Sequence, residues 1–338
     1  MKIAFVISVC NAVSGHSNGV VSQALSWAEG LRARGHEVVL VDPWDDQNWR
    51  SFDILQFFGI STDIKYLYQG VKKKCDAPCV FAPIIDTERP WFMSRLAGKI
   101  AFPALHLASP WGDMLDIACG KSHFLARSDY ELQYIRRALK VAENRIYKVP
   151  LNFRSLPEIA AGTEKKREGY CLHVSLLSAP RKNVVRLIKA ALKYDFKLVL
   201  AGNVGDPKFG EYLNGIIDDH SNIVYLGRVD DNKLIELYSE ATCFALPSLF
   251  EGVGLVALEA AAHGCGIVIT DRGAPKEYYG GLAQLVDPES VDDIGKAVSR
   301  VLAGETHQPE LGKHIKGHYS LTRIAEILEK AYVDIVGA

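Results

Sequence analysis

The segment PSLFEGVGLVALEAAAHGCGIVITD, residues 247–271, places two glutamates eight positions apart around a pair of glycines. Its pattern predicts a strand ending at Leu246, a turn carrying Glu251, Gly252, Val253 and Gly254, a helix from Leu255 to about His263 stopped by Gly264, and a strand over 266–270. The two glycines let a ligand approach the backbone. The free N–H groups and dipole of the helix start suit a phosphate or diphosphate. On one continuous helix the two carboxylates would stand about 12 Å apart, at about 1.5 Å per residue, too far for a short-range acid/base pair. With Glu251 in the turn and Glu259 just over a turn inside the helix, the pair can instead accept hydrogen bonds from hydroxyls at opposite ends of an elongated ligand. A sugar on one side of a diphosphate and a ribose on the other would fit. A glutamate before a helix often only complements the dipole, and one within a helix often faces solvent. Glu259, however, interrupts the apolar stretch 255–262, and a buried carboxylate needs a partner.

Other chemistries fit less well. Gly252-x-Gly254-x-x-Ala257, with Asp271 downstream, matches a loose dinucleotide fingerprint, but residues 247–251 separate its first glycine from the strand. A nicotinamide enzyme is therefore not expected. Cys75 and Cys79 could form half a metal site, but no matching Cys or His pair has the required spacing. The adjacent aspartates at 45–46, 218–219, 230–231 and 292–293 read as turns and caps. No metal and no cofactor are expected.

The elements that must position these residues alternate along the chain. Apolar, β-branched runs at 3–9, 36–42, 52–57, 79–85, 123–126 and 145–149 are separated by helical patterns, which predicts a doubly wound parallel sheet. The alternation repeats at 170–174, 197–201, 223–226, 243–246, 266–270 and 282–286. Residues 150–157, followed by the polar stretch 160–169, read as a linker. The expected architecture is α/β, with two Rossmann-like domains facing a cleft: 1–152 and 168–312, with a last helix at 319–336 crossing back to the first. Ligands of such sheets bind at the carboxyl ends of the strands.

Composition narrows the partners. The 338 residues carry 39 basic and 40 acidic side chains, a net charge of −1 that lacks the basic footprint of a nucleic-acid binder. No run of 18 apolar residues predicts a membrane span. Lys2 and the short apolar run after it read as a first strand rather than a signal peptide. The seven cysteines, odd in number and scattered, read as reduced thiols, and a cytoplasmic location is expected.

The EGVGLVALEAAAHG element, with the preceding LGRVDDNKLIELYSEATCFALPS, resembles the retaining glycosyltransferases of family 4, which have the GT-B fold. The resemblance covers most of residues 170–287 and weakly the remainder; Gly227, Val229, Leu234, Leu237 and Tyr238 meet its pattern in order. It implies that Glu251 hydrogen-bonds the hydroxyls of a donor sugar, with the amides of Gly252, Val253, Gly254 and Leu255 along sugar and diphosphate. Glu259 would hold the ribose. Gly202 and Asn203, with the loop Gly227, Arg228 and Val229, would form the nucleobase pocket. Asn18 and Gly19 would lie in the glycine-containing loop after the first strand. The family usually has a Gly-Arg pair after the first strand of the second domain, then a lysine. Here Lys182 meets the lysine, the arginine position is apolar, and Arg181 is the candidate substitute. Many members carry a histidine at the end of the strand before the acceptor site. Here Asp86 stands there, either near the anomeric carbon or as a loop cap.

The resemblance implies a metal-independent retaining hexosyltransferase using a UDP- or GDP-sugar, with Glu251, Arg181, Lys182 and Asp86 as catalytic candidates. The acceptor would be a saccharide or lipid-linked saccharide in surface polysaccharide assembly. Residues 89–99 mix Trp91 and Phe92 with arginines and lysine, and residues 65–74 carry four lysines among tyrosines. These stretches suit either peripheral contact with an anionic inner membrane or a helix with a solvated basic face. A nucleotide-sugar isomerase or hydrolase, or a non-catalytic nucleotide-sugar-binding subunit, are the alternatives.

Overall fold

The computed structural model describes residues 1–8, 19–42, 44–59, 61–99, 109–154 and 167–337. The chain divides into two units, Met1–Asn152 with Leu321–Ala338, and Phe153–Ser320.

In the first unit six parallel strands, β1 (Lys2–Ile7), β2 (Glu37–Leu40), β3 (Ile54–Phe58), β4 (Cys79–Ala82), β5 (His123–Ala126) and β6 (Ile146–Lys148), lie in the order β2-β1-β3-β4-β5-β6. The apolar runs of the inner strands are buried on both faces; all five residues of β3 and all four of β4 are buried. That burial drives the pairing, because a strand covered on both sides removes every side chain from water. The β4 run ends three residues before its predicted limit of Ile85, because Ile84 takes φ 59° and leaves the extended conformation. The terminal helix Leu321–Val336 packs on the Gly19–Ala33 helix, and its buried Tyr332 hydroxyl donates to Gln56 Oε1 of β3 at 3.1 Å. Glu329 of the same helix accepts from Arg34 Nε and pairs with His36 Nε2, each at 2.7 Å.

The second unit is built from β7 (Glu168–Val174), β8 (Leu198–Ala201), β9 (Ile223–Tyr225), β10 (Ala241–Leu246), β11 (Gly266–Thr270) and β12 (Gln284–Val286), all parallel, in the order β12-β11-β10-β7-β8-β9. From β7 the chain runs outward through β8 and β9, then returns to the other side of β7 and runs outward through β10, β11 and β12. The reversal leaves a crevice outside the carboxyl ends of β7 and β10, where such sheets take ligands. One face is covered by the helices Val184–Tyr194 and Val291–Leu302, whose Leu187, Ile188, Ala191 and Val298 are fully buried.

Two expectations about connections change. Residues 151–153, read as linker, are buried, and Phe153 N–H donates to Tyr319 O at 3.2 Å. Glu168 and Gly169 belong to β7. The remainder of the expected linker, 155–166, lies outside the described residues. No helix among the described residues is long and apolar enough to cross a membrane.

Candidate active site

The loops after β7 and β10 meet at the strand-order reversal. After β7 the chain makes a short turn, Pro180–Lys182, and enters the Val184–Tyr194 helix through Asn183, at φ 58° in the left-handed region that asparagine tolerates. Asn183 Nδ2 donates to Pro247 O at 2.8 Å and Pro288 O at 2.7 Å, and Leu249 N donates to Arg181 O at 2.8 Å. This backbone stitching fixes Arg181 and Lys182 against the turn that carries Glu251.

Glu251 is 4% exposed. Its Oε1 accepts from Lys182 Nζ at 2.6 Å and from Ser248 Oγ at 2.7 Å. The two partners compensate the charge on one oxygen, and neither holds Oε2. The backbone of Glu251 bridges to Gly273 in parallel fashion, with Glu251 N donating to Arg272 O at 3.3 Å and Ala274 N to Glu251 O at 3.2 Å. Gly273 has φ +97°, and a Cβ there would sit 1.9 Å from Glu251 O. Gly273→Ala is therefore expected to lower stability by at least about 2 kcal/mol, through backbone strain and the forced displacement of Glu251. Denaturant midpoints of the purified variant check this.

Gly254, at φ +81°, begins the helix Leu255–Ala262. The amides of Ala257 and Leu258 return to Gly254 O. The preceding amides of the first turn have no intrahelical acceptor and carry the positive end of the dipole. Glu251, Lys182, Arg181 and this helix start thus share one carboxyl edge. Arg181 is exposed, and its Nη1 donates to Phe250 O at 3.2 Å.

Glu259 stands one turn into that helix and is 5% exposed. Tyr238 hydroxyl donates to its Oε2 at 3.3 Å, and Arg154 Nε lies 3.5 Å from Oε1. Arg154 Nη1 also donates to Asp231 Oδ1 at 2.8 Å. Burial raises the Glu259 pKa to about 7 against the lowering effect of Arg154 and Tyr238. A carboxylate poised in this way gains from any further donor.

Next to this edge, Gly202 follows β8 at φ +134°, with its N–H on Gly227 O at 2.8 Å; a Cβ would meet Ser175 O at 1.8 Å. The loops after β7, β8 and β9 therefore touch backbone to backbone. Asn203 and Arg228 are exposed, while Gly227 and Val229 are half-buried. Under them His173 of β7, fully buried, bridges Ala245 O (Nδ1, 2.8 Å) and Ser175 Oγ (Nε2, 2.7 Å). Burial lowers its pKa to about 4, so it is neutral, with Nδ1 donating and Nε2 accepting.

The second unit thus collects Arg181, Lys182, Gly202, Asn203, Gly227, Arg228, Val229, Glu251, Gly252, Val253, Gly254, Leu255 and Glu259 on the carboxyl side of one sheet and the helix leading from it. Asp86 and Gly19 belong to the first unit, and Asn18 lies outside the described residues. Gly19 is the first residue of a helix rather than a loop residue, and it is exposed. Asp86 has a commitment that the sequence did not reveal. Its Oδ1 accepts from Nη2 of Arg127 at 2.9 Å, and Arg127 is buried against Glu131, with Nε on Oε2 at 2.9 Å.

Sequence reasoning missed Ser248, Asn183, Gly273 and the partner role of Arg154. Ser248 stands within the quoted segment and Asn183 directly follows Lys182; both carry side chains able to bond the backbone or a carboxylate. Arg154 fell in the supposed linker, and no local signal ties it to Asp231 or Glu259.

These two Rossmann-like units define the class of fold: the chain has the GT-B fold. Residues 158–318 match the family model described as glycosyl transferases group 1. The chain is 30% identical over 148 residues to the O-antigen chain mannosyltransferase B of Escherichia coli, covering 41% of this chain and 38% of that protein. It is 27% identical over 171 residues to the GDP-mannose-dependent monoacylated alpha-(1-6)-phosphatidylinositol monomannoside mannosyltransferase of Corynebacterium glutamicum, covering 46% and 44%. The aligned parts thus span about two fifths of these relatives. Among solved structures, sucrose-phosphate synthase from Thermosynechococcus elongatus superposes with a TM-score of 0.75 at 15% identity over 100% of both chains.

Proposed function

We propose that the chain is a retaining, metal-independent glycosyltransferase that moves a hexosyl group from a nucleoside diphosphate sugar to a saccharide or lipid-linked saccharide. The observation that carries this reading is the charge-compensated Glu251, with Lys182 and Ser248 on Oε1, beside the amide-rich start of the Leu255–Ala262 helix. Oε2 of Glu251 accepts from the donor sugar, Glu259 accepts from the ribose, and the diphosphate lies against the helix start. The loops at Gly202 and Gly227 take the base. Breaking the anomeric C–O bond leaves its electron pair on the β-phosphate, and Lys182, Arg181 and the helix amides stabilise that charge. The similarity to mannosyltransferases, one of them named as GDP-mannose-dependent, favours a GDP-linked mannosyl donor over a UDP-linked one and a role in surface polysaccharide assembly.

The test is a thermal-shift panel of GDP, UDP, ADP, CMP and NAD, with and without EDTA, on the native chain and on Glu259→Ala. Binding to the folded state raises apparent stability. A shift with GDP that survives EDTA and disappears in the variant is expected; a shift only with NAD, or none, overturns the reading. Product analysis with donor alone separates a transferase from an isomerase or hydrolase.

For the acceptor, we infer peripheral contact of the first unit with an anionic membrane at its cytoplasmic face. The helix Trp91–Lys99 buries Ser94 and Gly98 and exposes Trp91, Phe92, Met93 and Leu96, with Arg89, Arg95 and Lys99 nearby. The other basic stretch contributes less than its composition suggests, because Lys65 pairs with Asp113 at 2.9 Å and Asp116 at 2.5 Å. Flotation with phosphatidylglycerol vesicles at low salt is expected to carry the native chain. Phe92→Glu/Leu96→Glu is expected to remain in solution, since it removes buried apolar area and adds repulsion. Equal flotation of both would remove the helix from the proposal.

A further inference from the structure

The first unit has a second concavity at the opposite edge of its sheet from the carboxyl ends of the strands. A cavity of about 560 Å³ is lined by Tyr68, Lys72, Cys79, Lys121, His123 and Arg145, among others. Cys79 and His123 open β4 and β5, and Arg145 immediately precedes β6. A neighbouring cavity of about 330 Å³ shares Lys72 and Asp76 with it and adds Arg50, Lys73 and Lys74. Six cationic side chains therefore line the two cavities, against the single carboxylate of Asp76.

These charges differ from an ordinary solvated face. Lys65, on the same Thr62–Lys72 helix as Lys72, is neutralised by two aspartates. Lys72, Lys73, Lys74, Lys121 and Arg145 form no ion pair among the described residues. Arg145 is also held in place, with its guanidinium donating to the carbonyls of Gly120, Ser122 and Ala118. Uncompensated positive charge in a concavity, with one guanidinium fixed in place, is suited to a polyoxyanion. His123 adds an independent sign: its Nδ1 is buried without a hydrogen-bond partner, an arrangement that disfavours the folded state unless something fills it. Burial and Arg145 lower the His123 pKa, which favours the neutral ring. The remaining wall is apolar, from Tyr68, Pro78 and Ile335 of the terminal helix, and the volume falls within the roughly 300–1,000 Å³ of small-molecule sites.

We propose that this cavity binds a soluble organic phosphate, with the phosphate among Lys72, Lys121 and Arg145 and the carbon body against Tyr68 and Ile335. The site shares no residue with the proposed donor site, and the proposal does not rest on the transferase reading.

Calorimetric titration of the full chain with glucose 6-phosphate, fructose 1,6-bisphosphate and inorganic phosphate tests it, with phosphatidylglycerol vesicles as a separate arm. The exposed lysines permit Lys72→Ala/Lys121→Ala without disturbing the core, and an unchanged thermal melt confirms folding. At least one sugar phosphate is expected to bind more tightly than inorganic phosphate, to weaken about tenfold or more in the double variant, and to be unaffected by Lys182→Ala. Three results overturn the proposal: no sugar phosphate binds; binding is lost in Lys182→Ala and kept in the double variant; or only vesicles bind and the double variant releases them.

Discussion

Glu251→Gln is expected to lower turnover about 10²–10³-fold, the range seen when one preorganised electrostatic contact to a reacting group is lost. Glutamine keeps the shape and can still accept from Ser248 Oγ at the Oε1 position, so the turn need not rearrange. What disappears is the charge that holds Lys182 Nζ at 2.6 Å and the carboxylate oxygen that the proposed reading offers to the sugar. Released from its partner, Lys182 is free to follow the diphosphate in the ground state as well as in the transition state, which makes the loss fall on kcat more than on KM. The Lys182 side chain keeps 18% exposure, so solvent offsets part of the broken pair. The stability cost is expected near 1–2 kcal/mol, below the roughly 3–5 of a fully buried pair. Steady-state kinetics with the donor identified by the nucleotide panel measure the split. Lys182→Ala and the double variant complete a cycle in which the effects should be strongly non-additive. Full activity in Glu251→Gln would remove Glu251 from the mechanism.

The second large effect concerns pH. Glu259 in the folded chain has its pKa raised to about 7 by burial, so between the ordinary carboxylate range and pH 7 the folded state holds a proton that the unfolded state has released. Stability from this group therefore falls as pH rises through that window and is level above it, a loss approaching about 3 kcal/mol. Glu259→Gln abolishes the loss. The variant should match the native chain below about pH 4 and be more stable by up to that amount at pH 8.

His173 has the opposite slope. Its pKa is lowered to about 4, so the unfolded state takes up the proton first and stability falls as pH drops below the normal imidazole range. The two trends overlap and flatten the native profile. Only the difference between native and Glu259→Gln chains in urea titrations at matched pH isolates the glutamate. Binding adds a further sign. On the proposed reading ribose hydroxyls donate to the ionised carboxylate, so nucleotide affinity should rise as pH rises through about 7. In Glu259→Gln it should be weaker by about 10–100-fold, as for a lost charge-assisted bond, and independent of pH over that range. A native affinity that does not change with pH would place the ribose elsewhere.

Much of the architecture was legible because burial on both faces writes itself into sequence. Each of the twelve apolar runs corresponds to a strand, with ends shifted by up to three residues, and 123–126 and 266–270 are matched at both ends. The shifts have local causes, such as the left-handed Ile84. The turn and helix around Glu251 were legible for the same reason, since glycines, an apolar stretch and a stop at Gly264 follow local backbone rules. Asp86 was not: its partner Arg127 is 41 positions away in sequence.

The sequence by itself determined two α/β alternations, the glycine-bearing turn and the two glutamates with their separation, since each depends on neighbours within a few residues. Only the tertiary structure decided which charges those glutamates meet. Lys182 reaches Glu251 across 69 positions because β7 and β10 are adjacent in the sheet. Tyr238 and Arg154 reach Glu259 because their segments pack beside its helix. Ionisation, and with it the chemistry of this edge, depends on distance and burial in three dimensions, quantities that a linear spacing does not contain.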